Sequence, residues 1–221
     1  MCGRFARLSS VDRFAELFGA SGHPEAGVSY NIAPGSQILV ARHSSGRHRE
    51  LTTLKWGLVP AWSDEPKTEY STINARAETV ASKPSFRSAF RHRRCLIAAD
   101  GFYEWHPLPD GHKQPYYVLL NPEEPFAFAG IWEHWERDGR ILETCSIIVT
   151  EANALMKPIH DRMPVILSPV SYGEWMNPAI TEPERLQPLL APYPAPLMKK
   201  HPVRTFVNSP RNDGRDLIEP A

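Results

Sequence analysis

Cys2 is the residue of this chain best placed to do chemistry, and position matters more than type. Loss of Met1, which a small second residue favours, would leave Cys2 with a free α-amine and a thiol on adjacent carbons. The amine titrates at about 8 and the thiol at about 8.5, so each supplies some nucleophile at neutral pH. Such a pair condenses with an aldehyde: the amine forms an imine, and the thiol closes on it as a five-membered thiazolidine. An internal cysteine can do neither step this way. The competing reading is a disordered end with an incidental cysteine, against which Phe5 stands close enough to anchor the terminus in a core. Cys95 and Cys145 lie in the strand-like runs RCLIAA and TCSIIVT and read as small buried hydrophobes.

Other groups could serve an aldehyde or an anion. Glu104 lies in GFYEW, where alternation along a strand sends it to one face with Phe102, opposite Tyr103 and Trp105. A carboxylate among so many rings is raised in pKa by desolvation, as a general acid or base near neutral pH requires. A surface glutamate beside a turn fits the same letters. His160 opens the run HDRMPVIL, where Asp161 or Arg162 could set its tautomer or charge, and it reads equally as a structural histidine. Asn74 and Arg76, two apart in TINARAET, share a face if extended; an amide beside a guanidinium suits an anionic or sugar-like ligand. Arg87, Arg91, Arg93 and Arg94 crowd FRSAFRHRR, whose plain reading is a solvated helix face. Trp56 and Trp62 flank Pro60 in WGLVPAW and Trp105 adds a third ring; each belongs to a core or, on a Pro-Gly loop, offers a stacking platform for a base.

The elements that must position these residues are short and mostly strands. Three Asp-Gly pairs, at 100–101, 110–111 and 138–139, each divide apolar runs, which predicts a meander of antiparallel strands through the middle of the chain. SQILVAR and RELTTLKW, parted by Ser44, Ser45 and Gly46, predict strand, turn, strand, and MPVIL predicts another strand. Apolar spacing predicts short helices from Val11 to a stop at Gly19, with Ser9 and Asp12 as a capping box, from Pro84 to Phe90, near 152–156 and near 172–176. Prolines recur from Pro178 to Pro202, which favours an irregular wrap.

Composition narrows the setting. At 221 residues, 42% hydrophobic and 23% charged, the chain can bury a core, and its length suits one domain over 1–221. Twenty-five basic residues balance 25 acidic ones, so no global field draws the protein to polyanions and a nucleic-acid site must be built locally. Of the basic residues 18 are arginine, the side chain suited to bidentate contact with phosphate or carboxylate. The 22 prolines, about twice the usual share, argue for loops and edges over long helices. Three cysteines without CxxC spacing support neither a disulfide framework nor a zinc knuckle. With no leader-like or membrane-length apolar run, the expectation is a soluble, cytoplasmic or nucleoid-associated protein.

In their order along the chain, MCGRF at 1–5, YNIAPG at 30–35, WGLVPAW at 56–62, TINARAET at 72–79, CLIAADGFYEW at 95–105, IHDRMPVIL at 159–167 and VNSPRNDG at 207–214 resemble the SRAP family, the SOS-response-associated peptidases or abasic-site processing proteins. The resemblance spans nearly the whole chain. It implies an α+β, strand-rich single SRAP domain with a barrel-like core of mixed and antiparallel sheet, short flanking helices and a channel for single-stranded DNA. It implies a monomer with no cofactor or metal, whose partner is single-stranded DNA carrying abasic sites, including at single-strand/duplex junctions. The family's reactive cysteine falls on Cys2, its amide on Asn74, its carboxylate on Glu104 and its histidine on His160. Mature Cys2 would link covalently to the abasic sugar and shield it from strand cleavage. Glu104 and His160 would move the protons that open the sugar, and Asn74 would hold the terminus or a sugar oxygen. Arg4, Arg76 and Arg162 would position flanking phosphates, while Trp56, Trp62, Trp105 and Pro34 would stack or wedge. The resemblance also implies a thiol autopeptidase that releases Met1 with help from Glu104. Two letters depart from the pattern, His106 after GFYEW and Arg215 after RNDG, both outside the implied catalytic set. Glutamine amidotransferases of the N-terminal-nucleophile type also begin Met-Cys-Gly, but their Arg-Gly-Pro-Asp and Asn-Gly-Glu segments are missing here. A passive single-strand binding module is the third reading.

Overall fold

A computed structural model describes residues 2–43, 48–67 and 72–221. The chain opens with β1 (Phe5–Arg7) and α1 (Val11–Phe18), which buries Phe14 and Phe18. Ser10, not Ser9, caps that helix, its hydroxyl accepting from the Arg13 N–H, and Gly19 ends it in the left-handed region at φ 56°. Ser9 instead hydrogen-bonds Asp100 through both its N–H and its hydroxyl. There follow β2 (Ser29–Ile32), β3 (Gln37–His43), β4 (Arg49–Trp56), β5 (Asn74–Arg76), α2 (Arg87–His92), β6 (Arg94–Ala99), β7 (Gly101–Pro107), β8 (Lys113–Leu120), β9 (Phe126–Arg137) and β10 (Arg140–Glu151). The last elements are β11 (Arg162–Pro164), β12 (Ile166–Leu167), α3 (Tyr172–Met176), α4 (Pro183–Leu186) and β13 (Met198–Pro202).

Strands β10, β4, β3, β6 and β9 pair in that order and β9 pairs back to β10, closing a barrel. The β10–β4 contact is parallel and the other four are antiparallel. Past the ring, β10 carries β5 in parallel and β11 antiparallel, and β9 carries β12. A second, antiparallel sheet runs β13-β8-β7-β1-β2. The mixed, strand-rich α+β architecture with short helices therefore stands.

Alternation in β6 shows how the layers are joined. Leu96 and Ala98 pack toward α1, α2 and α3, while Cys95, Ile97 and Ala99 face the apolar cluster that holds Cys2, Phe5 and Phe102. Both faces are buried, which is why RCLIAA reads as a continuous apolar run. Gly130 sits opposite Cys95 on β9, where an added Cβ would come within 2.7 Å of Cys95 Sγ and of Ile97 Cδ1. Gly130→Ala is expected to cost about 1–3 kcal/mol through overpacking, read as a fall in the denaturant midpoint at unchanged slope.

Several sequence expectations change. Asp110-Gly111 and Asp138-Gly139 do turn hairpins, the latter with φ 52° and 71°. Asp100-Gly101 does not: β6 belongs to the barrel and β7 to the second sheet, so the pair marks a crossing between sheets and the meander is broken there. Asp100 holds the crossing by accepting from the Leu8 and Ser9 N–H groups, and Gly101 is needed because the Tyr117 ring would lie 2.3 Å from a Cβ. The helix expected from Pro84 begins at Arg87, and residues 154–159 form turns rather than a helix. The proline-rich wrap contains α4 and the strand β13. The turn at Ser44, Ser45 and Gly46 lies outside the described residues. Arg94, read within a solvated run, is buried and donates to the carbonyls of Phe90, Arg91, Trp175, Asn177 and Ile180, tying together the ends of α2 and α3.

Candidate active site

The N-terminal strand brings Cys2 to Glu104. Phe5 pairs with Phe102 across β1 and β7, and the Tyr103 N–H donates to the Arg4 carbonyl at 3.0 Å, so residues 2–4 run beside Glu104. The Cys2 side chain is fully buried among Phe5, Trp56 and Phe102. Burial drives its thiol pKa far up, and the nearby Glu104 charge adds to the rise, while the Arg4 backbone N–H pulls the other way. Asn74 opens β5, laid against Ile147 of β10, and its Nδ2 donates to the Cys2 carbonyl at 2.8 Å. Among the described residues its buried Oδ1 has no partner, leaving an acceptor open at the terminus.

Glu104 is 2% exposed. Desolvation lifts its pKa to about 7, against the lowering effect of the Trp105 N–H. Its proton is therefore exchangeable at neutral pH, which is the state a single group needs to act as acid in one step and base in the next. His160 is half-buried just before β11, with the Arg162 N–H donating to its Nδ1 at 3.0 Å and an Asp161 carboxylate oxygen 2.8 Å from the same nitrogen. The Arg162 N–H favours a ring proton on Nε2 and the Asp161 carboxylate favours one on Nδ1, so the two contacts serve the two tautomers of the neutral ring. Burial lowers the His160 pKa, opposed by the Asp161 charge. Cys2 and Asn74 are in contact and Cys2 and Glu104 interact electrostatically, as do Glu104 and Asp161 beside His160. Four residues from four distant stretches of sequence thus meet around one N-terminus.

The candidate DNA-contacting residues divide. Trp62 is 64% exposed and Pro34 and Arg76 are also at the surface. Trp56 is 1% exposed, packs edge-on to Phe5 and donates from Nε1 to the Ile73 carbonyl, so its ring is core and the expectation that it stacks on a base is corrected. Trp105 is partly covered, with Nε1 donating to Asn208 at 2.7 Å. Arg4 donates to Asn31 Oδ1 and the carbonyls of Val207 and Asn208, a clamp between the N-terminus and the segment VNSPRN. Those bonds fix where the half-buried guanidinium sits. Arg162 pairs with Glu78, a residue the sequence reading passed over inside TINARAET although it stands two after Arg76. Asn31 was passed over too; its amide donates to Val207, Ser209 and Asn212. Among the described residues no group of His, Cys, Asp and Glu could hold a metal ion, and no helix is long and apolar enough to cross a membrane.

This barrel with its buried N-terminal cysteine belongs to a defined class: a profile of the SOS response associated peptidase (SRAP) family matches residues 1–210, and the chain is a member of that family. It is 45% identical over 227 residues to the abasic site processing protein YoqW of Bacillus subtilis, covering 99% of each. It is 32% identical to the abasic site processing protein YedK of Escherichia coli over the full length of both, and 33% identical to HMCES of Gallus gallus, covering 78% of that protein. A crystal structure of a Bacteroides thetaiotaomicron protein superposes at TM-score 0.87 with 28% identity, over 98% of this chain and 99% of that one.

Proposed function

We propose that this chain processes abasic sites in DNA, by forming a covalent thiazolidine between mature Cys2 and the C1′ aldehyde of the lesion. The observation that supports this most is the placement of Cys2 beside a carboxyl whose pKa is about 7, with Asn74 holding the Cys2 carbonyl. The similarity to proteins named for abasic site processing points the same way.

Hydrolysis of the Met1–Cys2 amide comes first, with Glu104 assisting as acid and base, and frees the α-amine. An abasic deoxyribose is mostly a closed hemiacetal. Opening it needs a proton delivered to the ring oxygen, a role suited to protonated Glu104, and one taken from the C1′ hydroxyl, a role suited to Nε2 of His160 when the ring proton sits on Nδ1 facing Asp161. The amine then attacks C1′ and water leaves, giving an imine. That imine acidifies the C2′ proton and invites β-elimination, which would cut the strand. Addition of the Cys2 sulfur to the imine carbon, with the thiol proton ending on nitrogen, removes the imine and so preserves the strand. A thiol kept protonated by burial is inert until Glu104, its neighbour, accepts that proton. Asn74 Oδ1 is free to accept from the new amine or a sugar hydroxyl. Arg76 and Arg162 would meet flanking phosphates, and exposed Trp62 a single-stranded base. The chain acts as one SRAP domain over 1–221, as a monomer, on single-stranded DNA in the cytoplasm or on the nucleoid, with junctions included among its targets.

Intact mass spectrometry after mixing the protein with a single-stranded oligonucleotide bearing one abasic site tests the reading. The expected species is the protein without Met1 plus the oligonucleotide minus one water, surviving denaturation. A complex that always dissociates on denaturation would overturn the crosslink.

A further inference from the structure

Glu78 and Arg162 meet at the rim of the site from two strips that also carry its chemistry. One strip is Asn74-Ala75-Arg76-Ala77-Glu78, with Arg76 paired to Val149 of β10 and the Ala77 N–H donating to the Val149 carbonyl at 2.8 Å. The other is His160-Asp161-Arg162, with Arg162 paired to Glu151 of the same strand. The two approach from opposite edges of β10, and Arg162 Nη1 hydrogen-bonds Glu78 Oε1 beyond its end. The Arg162 side chain is 24% exposed and that of Glu78 is 49% exposed, so the pair is open to solvent and to a ligand.

An ion pair this accessible adds little to stability. It matters more for what it excludes, because a guanidinium already satisfied by a carboxylate gains less when a phosphodiester arrives. We propose that Glu78 is a specificity-determining residue: its carboxylate occupies the place of a phosphate on Arg162 in the free protein and so weakens binding to undamaged single-stranded DNA. The inference rests on the reading that Arg162 meets a DNA phosphate. An intact strand must displace Glu78 and then tolerate its negative charge, with nothing further to gain. A strand with an abasic site meets the same handicap on encounter, but capture by Cys2 makes its complex covalent. Weak non-covalent binding joined to covalent capture discriminates for the lesion, and it accords with a chain whose 25 acidic residues cancel its 25 basic ones.

The test is binding of an undamaged single-stranded oligonucleotide, followed by fluorescence anisotropy over a salt series, for wild type, Glu78→Gln, Arg162→Gln and the double variant. Glu78→Gln is expected to tighten binding roughly three- to tenfold and to steepen the dependence of log K on log salt by about 0.7, the signature of one more phosphate contact on a single strand. Arg162→Gln is expected to weaken binding, and adding Glu78→Gln to it should restore far less than Glu78→Gln gains alone. In the adduct assay the same undamaged strand should inhibit Glu78→Gln at lower concentration than wild type. If Glu78→Gln binds intact DNA no better while Arg162→Gln binds it worse, Glu78 is a structural clip and the proposal fails alone. If Arg162→Gln binds as wild type does, the phosphate reading of Arg162 fails and takes the proposal with it.

Discussion

Cys2→Ala is expected to give no denaturation-stable adduct at all with an abasic oligonucleotide, and to cut the strand instead. Assayed after Met1 has been removed by an added methionine aminopeptidase, which accepts a small second residue, the variant keeps an α-amine at the same place, held by the same Asn74 hydrogen bond to the carbonyl of residue two. That amine can still condense with the aldehyde, but without sulfur the imine persists and its acidified C2′ proton can be lost. Denaturing electrophoresis reads both results at once, loss of the slow-migrating adduct and appearance of a shortened strand. The paired outcome discriminates between readings. A passive binding module with an incidental cysteine predicts neither product from wild type or variant. An adduct undiminished in Cys2→Ala would show that another nucleophile does the work. The variant removes a thiol from a fully packed position, so its melting temperature should be recorded beside the assay.

How much of this was legible before the fold follows from what each residue depends on. Cys2 could be singled out because its chemistry comes from its place in the chain, which a sequence states outright. Glu104 was half legible: alternation in GFYEW put it on one face with Phe102, and the structure agrees in burying both. Which sheet that face belongs to was not legible, because Asp100-Gly101 looks like a hairpin. Its role as a crossing depends on Asp100 binding Leu8 and Ser9, more than 90 residues earlier in the chain. The three tryptophans carried the same ambiguity and resolved three ways, Trp56 to the core, Trp62 to the surface and Trp105 in between, because ring type says nothing of which direction a strand faces. The charge of Arg4 was legible, but its partners Val207 and Asn208 were not, because they are supplied by the far end of the chain. Glu78 went unnoticed since an acid in an arginine-bearing motif opposes the motif's charge; only its contact with Arg162 gives it a role.

In protein already freed of Met1, Glu104→Gln should slow adduct formation roughly 10²–10⁴-fold, the usual contribution of a positioned acid or base, while making the protein more stable at alkaline pH. Both effects come from the same burial. In the folded chain the carboxyl titrates at about 7, against about 4.5 when unfolded. Below the unfolded value both states are protonated and stability is at its full level. As pH rises from about 4.5 to about 7 the unfolded chain releases its proton while the folded chain keeps it, and stability falls by about 3 kcal/mol before levelling off. Glutamine has no proton to release, so that slope should vanish from a series of denaturation curves, with the variant gaining on wild type at pH 8 and losing that advantage at pH 4. The rate profile changes as well. In wild type an amine that must be unprotonated, titrating at about 8, and an acid that must be protonated together give a bell centred near about pH 7.5. Glutamine removes the limb belonging to the acid, so the residual rate should rise with pH and then stay level. A variant that loses rate but retains the bell would place the acid elsewhere, with His160 the next group to examine. The site accepts an instability at neutral pH that a buried amide would avoid, and the exchangeable proton is what it obtains in return.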